Sequence, residues 1–137
     1  MTTQEAKQQL EAVRVKYREY ILARDKADQL RGMITSPTAG ASDGQRSESS
    51  GNGSENKIIS LLWYSEQADR VFQNYMLFRT EAELAIDFIK LPDEREVLTR
   101  RYIMYQKWED IAVAMGYSRQ HITRIHESAL KHISENF

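Results

Sequence analysis

Between residues 58 and 89 apolar side chains return every seven positions, at Leu61, Ala68, Tyr75, Ala82 and Ile89, interleaved with Tyr64, Val71, Phe78 and Ala85. Alternating three- and four-residue steps sustained over about four heptads form the seam of a helix that buries a narrow stripe against another helix. This repeat commits residues 58–90 to a long helix and obliges the fold to supply a partner for it.

The nearest partner lies upstream. Residues 2–31 contain no glycine or proline and are rich in Ala, Gln, Glu, Lys, Arg and Leu, which predicts one long helix ending at residue 31. Its larger apolar residues, Leu10, Val13, Tyr17, Tyr20, Ala27 and Leu30, recur at helical steps in a stripe interrupted by Arg24. Between the two helices, residues 32–57 hold five of the six glycines and one of the two prolines amid many serines. Such a segment buries too little apolar surface to offset its ordering entropy and reads as a flexible Gly/Ser-rich linker. Two long helices so joined are expected to fold back as an antiparallel, coiled-coil-like hairpin. A homodimer through the same heptad helix is the rival arrangement. Tyr64, Phe72, Tyr75 and Phe78 are expected as packing residues, not as a cofactor box.

Composition narrows the function. The formal net charge is −1, so no global basic field advertises nucleic acid or an anionic membrane, and any DNA binding must arise from local placement of charge. The absence of cysteine removes disulfides, thiol catalysis and thiolate zinc sites together and fits a reducing cytoplasm. The opening MTTQEAKQQLEAV lacks the pattern of a secretion signal, and no apolar run approaches the roughly 18 residues of a membrane span. A cytoplasmic protein without a membrane partner is expected.

The stretch LPDER marks a boundary, because the residue before Pro92 is pushed out of helical geometry while proline itself suits the first turn of a new helix. A domain of residues 91–137 is therefore expected. Asp93, Glu94 and Glu96 complement the positive end of that helix dipole, which accounts for them without a catalytic carboxylate pair. Val97, Leu98, Arg101 and Tyr102 give this helix a mixed face. Trp108, Ile111, Ala112 and Met115 then follow at helical spacing, with Gly116 able to take the left-handed conformation that ends a helix. Ser118 is a good N-cap for a last helix starting at Arg119. Helix, glycine turn and helix at this spacing form the helix-turn-helix signature.

On the last helix Ile122, Ile125, Ala129 and Ile133 share one face. A step of roughly 100° per residue puts Gln120, Thr123, Arg124, Glu127 and Lys131 opposite. Arg119 and His121 occupy the first turn, the part of a recognition helix that meets base edges in the major groove. Arginine can pair bidentately with guanine and glutamine with adenine, so the residue types suit base reading. The three histidines, His121, His126 and His132, are five and six residues apart on different helix faces and cannot converge on one metal ion. His126 lies near the core stripe and is expected to pack, His121 to stand near DNA, and His132 to be a bystander. Trp63 and Trp108 read as packing residues. Neither a phosphate loop nor a nucleophile–base arrangement is present, so no enzyme activity, cofactor or metal is expected.

LPDEREVLTRRYIMYQKWEDIAVAMGYSRQHITRIHESALKHI resembles region four of bacterial sigma factors, which runs Leu-Pro, Arg-Glu, Val-Leu, Arg-Tyr, Glu-Glu-Ile-Ala, Gly, Ser-Arg and Ile-Glu-x-x-Ala-Leu in order. The pattern W-E-D-I-A, G-Y-S, R-I-H and A-L is similar to small sigma-like helix-turn-helix proteins of phages and prophages of Gram-positive bacteria, related in architecture to the ArpU and RinA late-gene regulators. The resemblance implies an all-α fold with a C-terminal helix-turn-helix that binds double-stranded DNA. It also implies base-facing roles for Arg119, Gln120, His121, Thr123 and Arg124, and phosphate contacts by Lys107, Trp108 and Arg101. Lys107 stands where a capping Ser or Thr is usual. His121 and Thr123 replace arginines of the major sigma factors, so the promoter sequence read by those factors is not carried over. The aromatic-rich region with which full sigma factors melt promoters is absent, which favours a regulator of transcription over a complete initiation factor. An RNA polymerase-docking interaction protein and a phage excision accessory factor are the alternatives.

Overall fold

The computed structural model describes residues 1–35 and 50–137. Five α-helices make up the described chain: α1 (Thr3–Thr35), α2 (Ser50–Asp87), α3 (Pro92–Leu98), α4 (Trp108–Met115) and α5 (Arg119–Ile133). A π-helical stretch, Thr99–Ile103, continues α3, and no strand occurs among the described residues. The all-α expectation therefore holds.

Helix ends differ from the expected linker bounds. The segment expected as a linker over 32–57 is helical at both ends, up to Thr35 and again from Ser50. The part of it from 36 to 49 lies outside the described residues. Once a long helix is nucleated, each further residue adds a backbone hydrogen bond, so propagation can carry through a glycine despite a cost of about 1 kcal/mol.

The described chain divides into two compact units. One comprises residues 1–17 and 74–137, the other residues 18–73. In the first, Tyr17 packs against Tyr75 with ring centres 5.3 Å apart, and the Lys16 ammonium lies 5.4 Å from the centre of the Phe78 ring. Numbers fall along α2 as they rise along α1, so the two helices run antiparallel there. The seam residues Tyr75, Ala82, Ala85 and Ile89 are buried in one cluster with Ala6, Leu10 and Val13 of α1. A homodimer through this part of the seam would have to displace α1.

The same cluster contains Leu98, Tyr102, Ile103, Ala129, Leu130 and Ile133. Residues after 91 therefore share a core with α1 and α2, and the compact unit does not begin at the proline boundary. Ala6, Ile86 and Leu130, which lie outside the expected stripes, are also buried in this core. The π-helical stretch serves the same packing. By shifting the helical phase it turns two successive side chains, Tyr102 and Ile103, inward, and both are buried.

In the second unit Ala27 and Ala68 are buried, and Tyr20 meets Phe72 at 5.0 Å between ring centres. The heptad positions Leu61, Tyr64 and Val71 are half-buried. Arg24, which interrupts the α1 stripe, is exposed with its guanidinium 5.8 Å from the Tyr20 ring centre. Trp63, expected to pack, is 55% exposed and touches Tyr64 edge-on at 5.0 Å. Its helix phase carries it outside the seam.

Candidate nucleic-acid interface

Leu91 is extended (φ −85°, ψ 119°), as the following proline requires, and Pro92 opens α3. The Arg95 guanidinium closes this corner, donating to the Ile89 carbonyl at 2.6 Å and the Lys90 carbonyl at 3.1 Å. After the π-helical stretch, Tyr105 adopts a positive φ of 60°. Its ring stacks on Tyr17 at 5.0 Å and its hydroxyl donates to the Tyr75 hydroxyl at 3.4 Å. Burial and the Tyr75 bond push the Tyr105 phenol well above its ordinary pKa. Arg100 and Arg101 strap the next residue, with Arg101 Nη1 donating to the Gln106 carbonyl at 3.0 Å and Arg100 Nη1 to its side-chain oxygen at 3.3 Å.

α4 and α5 form the helix-turn-helix proper. Gly116 takes the left-handed conformation at φ 71°, and the Tyr117 N–H donates back to the Ala112 carbonyl at 3.1 Å. Ser118 caps α5 by accepting from the His121 N–H at 3.1 Å. Lys107, at the corresponding place before α4, makes no side-chain cap. Val97, Ile111 and Ile122 are fully buried in a small core that fixes the angle between the helices, with Trp108, Ala112, Met115 and Ile125 packed around it.

Opposite this core, Arg119, Gln120, His121, Thr123 and Arg124 are all exposed on the first half of α5. They are not equivalent. Arg119 Nη1 lies 3.3 Å from Glu109 Oε1 on α4, an exposed ion pair of small energy. The Thr123 hydroxyl donates to the Arg119 carbonyl at 3.1 Å, and the His121 ring meets Tyr117 edge-on at 4.5 Å. The side chains of Gln120 and Arg124 form no hydrogen bond or ion pair with the described residues.

The residues expected at phosphates form a second group at the start of α4. Lys107 is exposed, while Trp108 and Arg101 are half-buried. The Arg101 guanidinium stacks over the Trp108 ring at 4.7 Å, and the His126 and Trp108 rings meet edge-on with centres 4.7 Å apart. His126 is buried, with Nε2 2.8 Å from the Tyr102 hydroxyl. Burial, reinforced by Lys7 and Arg101, lowers its pKa to about 4, so the ring is neutral near pH 7. Burial likewise drives the Tyr102 phenol well above its usual value. The Glu109–Arg119 contact links the first turn of α4 to the first turn of α5.

Three residues have roles that local patterns did not reveal. Glu94, expected only to complement the helix dipole, is 2% exposed and accepts from the Ser128 hydroxyl at 2.6 Å. His132, expected to be a bystander, places Nδ1 2.8 and 2.9 Å from the two Glu94 oxygens. A carboxylate can only accept, so Nδ1 carries the proton. Asp93 accepts from the exposed Tyr117 hydroxyl at 2.7 Å, which holds that phenol above its ordinary pKa. The one signal for this network is that Ser128 and His132 stand four apart on the shoulder of the α5 apolar stripe.

No helix of the described residues is long and apolar enough to cross a membrane, and no group of three His, Asp or Glu among them could hold a metal ion. No curated protein and no solved structure gave a match to the chain. Residues 91–135 match the family model of sigma-70, region 4. With the capped α5, the left-handed Gly116 turn and the packed α4 all inside the matched segment, residues 91–135 form a sigma region 4-like helix-turn-helix domain.

Proposed function

We propose that this protein is a sequence-specific, double-stranded-DNA-binding regulator of transcription of the kind encoded by phages and prophages, acting in the cytoplasm at the nucleoid. α5 enters the major groove, where Arg119, Gln120, His121, Thr123 and Arg124 face base edges. Lys107, Arg101 and the Trp108 edge lie along the phosphates. Region four of sigma factors is a DNA-binding domain without catalytic chemistry, in keeping with a non-enzymatic role.

The observation that carries this reading is the exposed row Arg119, Gln120, Thr123 and Arg124 on a helix capped by Ser118, within the matched segment. Because the net charge is −1, affinity must come from this local face and not from a general field. Selection of bound fragments from a random DNA pool, followed by a salt titration of the recovered duplex, tests it. An enriched motif whose affinity falls steeply with salt is expected. Equal binding of all sequences at physiological salt would remove the sequence-reading part.

A second reading, docking on RNA polymerase with DNA contact secondary, draws support from the outer side of α2. Leu77 and Leu84, one heptad apart, are 70% and 57% exposed there, and Phe88, just past the end of α2, is 73% exposed. A pull-down with core polymerase, repeated with Arg119 and Arg124 both changed to alanine, separates the readings. Polymerase capture by a chain that binds no DNA favours docking.

A further inference from the structure

Two adjacent carboxylates in the first turn of α3 hold both ends of the recognition helix. Asp93 accepts from Tyr117, two residues ahead of the start of α5. Glu94 accepts from Ser128 and His132 in its second half. We infer that Asp93 and Glu94 are positioning residues that set the register of α5 and thereby the sequence selectivity of the interface. The inference rests on the DNA-reading function proposed above.

Apolar packing alone leaves that register loosely defined. Ile122, Ala129 and Ile133 are completely buried, but burial is non-directional and tolerates a small slide or rotation of the helix. Hydrogen bonds are less tolerant, because they weaken steeply with distance and angle. Ser128 and His132 are separated by one turn, about 6 Å along the axis. Tying both to one carboxylate restricts rotation and axial slide together. Glu94 is almost wholly buried, and a buried carboxylate deprived of its donors is strongly destabilising, so displaced positions of α5 are penalised.

The Asp93 bond adds a constraint at the other end. Tyr117 in turn sets its ring edge against His121 in the reading face. α3 is itself fixed, by Pro92 at its first position and by Arg95 closing the corner with α2. Base readout needs side chains placed to within about 0.5 Å, finer than an apolar stripe supplies.

The test compares the full-length chain with its E94Q, S128A and Y117F variants. Each is titrated against the duplex recovered by wild-type selection and against an unrelated duplex of equal length. Glutamine keeps the size of Glu94 but can accept through only one of its two terminal atoms. E94Q is expected to lower the ratio of specific to unrelated affinity by about tenfold, and S128A and Y117F by about threefold. Affinity for the unrelated duplex and the salt slope should stay as in the wild type, because Lys107 and Arg101 are untouched. Ratios that stay constant would overturn the inference. So would specific and unrelated affinities that fall together, which is what simple loss of folded protein produces. Should E94Q fail to fold, S128A and Y117F, which alter half-buried and exposed side chains, decide the matter. A wild-type chain that binds both duplexes alike would instead overturn the DNA-reading function, and this inference with it.

Discussion

The Tyr102 hydroxyl and His126 Nε2 lie 2.8 Å apart, and the Trp108 ring meets the imidazole edge-on at 4.7 Å between centres. Desolvation keeps this histidine neutral down to about pH 4, whereas in the unfolded chain it takes a proton near pH 6.5. On acidification the unfolded state therefore binds the proton first. The stability contributed by neutral His126 is complete above pH 6.5, is lost progressively between 6.5 and 4, and falls no further below that. The loss amounts to about 3 kcal/mol. Denaturant unfolding at several pH values should show this slope in the wild type and a flatter one in H126F. Equal slopes would remove the buried histidine as their source.

The turn before α5 depends on one backbone conformation. Nothing lies within 4 Å of a Cβ built on Gly116, so replacing it brings no clash, but φ 71° is costly for a residue with a side chain. G116A should lose about 1 kcal/mol, and G116N less, because asparagine tolerates the left-handed region. Thermal melting of the two variants checks both the size and the order.

Leu10 lies far from the helix-turn-helix in sequence but belongs to the same core as Leu98 and Ile133. L10A should destabilise by about 2–5 kcal/mol. The loss should be felt within α3 and α5 as well as in the hairpin, and hydrogen exchange of their amides reads it directly. Unchanged protection of α5 amides in L10A would show that the C-terminal segment is held independently.

Base-reading and phosphate-binding residues should separate in binding data. R124A and Q120A are each expected to cost about 1–3 kcal/mol on the selected duplex and to relax preference at one base pair. K107A should instead weaken binding to all duplexes alike and reduce the salt slope by about one. R119A should cost less than R124A, because its guanidinium leaves Glu109 to reach DNA. Competition titrations at several salt concentrations distinguish these patterns.

Local periodicity carried much of this structure. The heptad seam from Tyr75 to Ile89, the Ile122–Ala129–Ile133 stripe, the Gly116 turn and the Ser118 cap are all readable, because the residues that cause them stand within a few turns of one another. The Glu94 network is not, since its partners are 34 and 38 residues away and a carboxylate in a first helical turn already has a sufficient local explanation. The π-helical stretch is equally silent, because its two inward side chains, Tyr102 and Ile103, owe their direction to the core they meet. Ala6 escaped the α1 stripe for a similar reason: its small side chain matters only because another element comes close.

One compact unit unites residues 1–17 with residues 74–137. Residues 18–35 and 50–73, which lie outside it, continue α1 and α2 and carry seam positions of their own. A one-residue insertion or deletion there turns the seam residues on one side of it by about 100° against those on the other, so the spacing along either helix is constrained as tightly as the residues themselves.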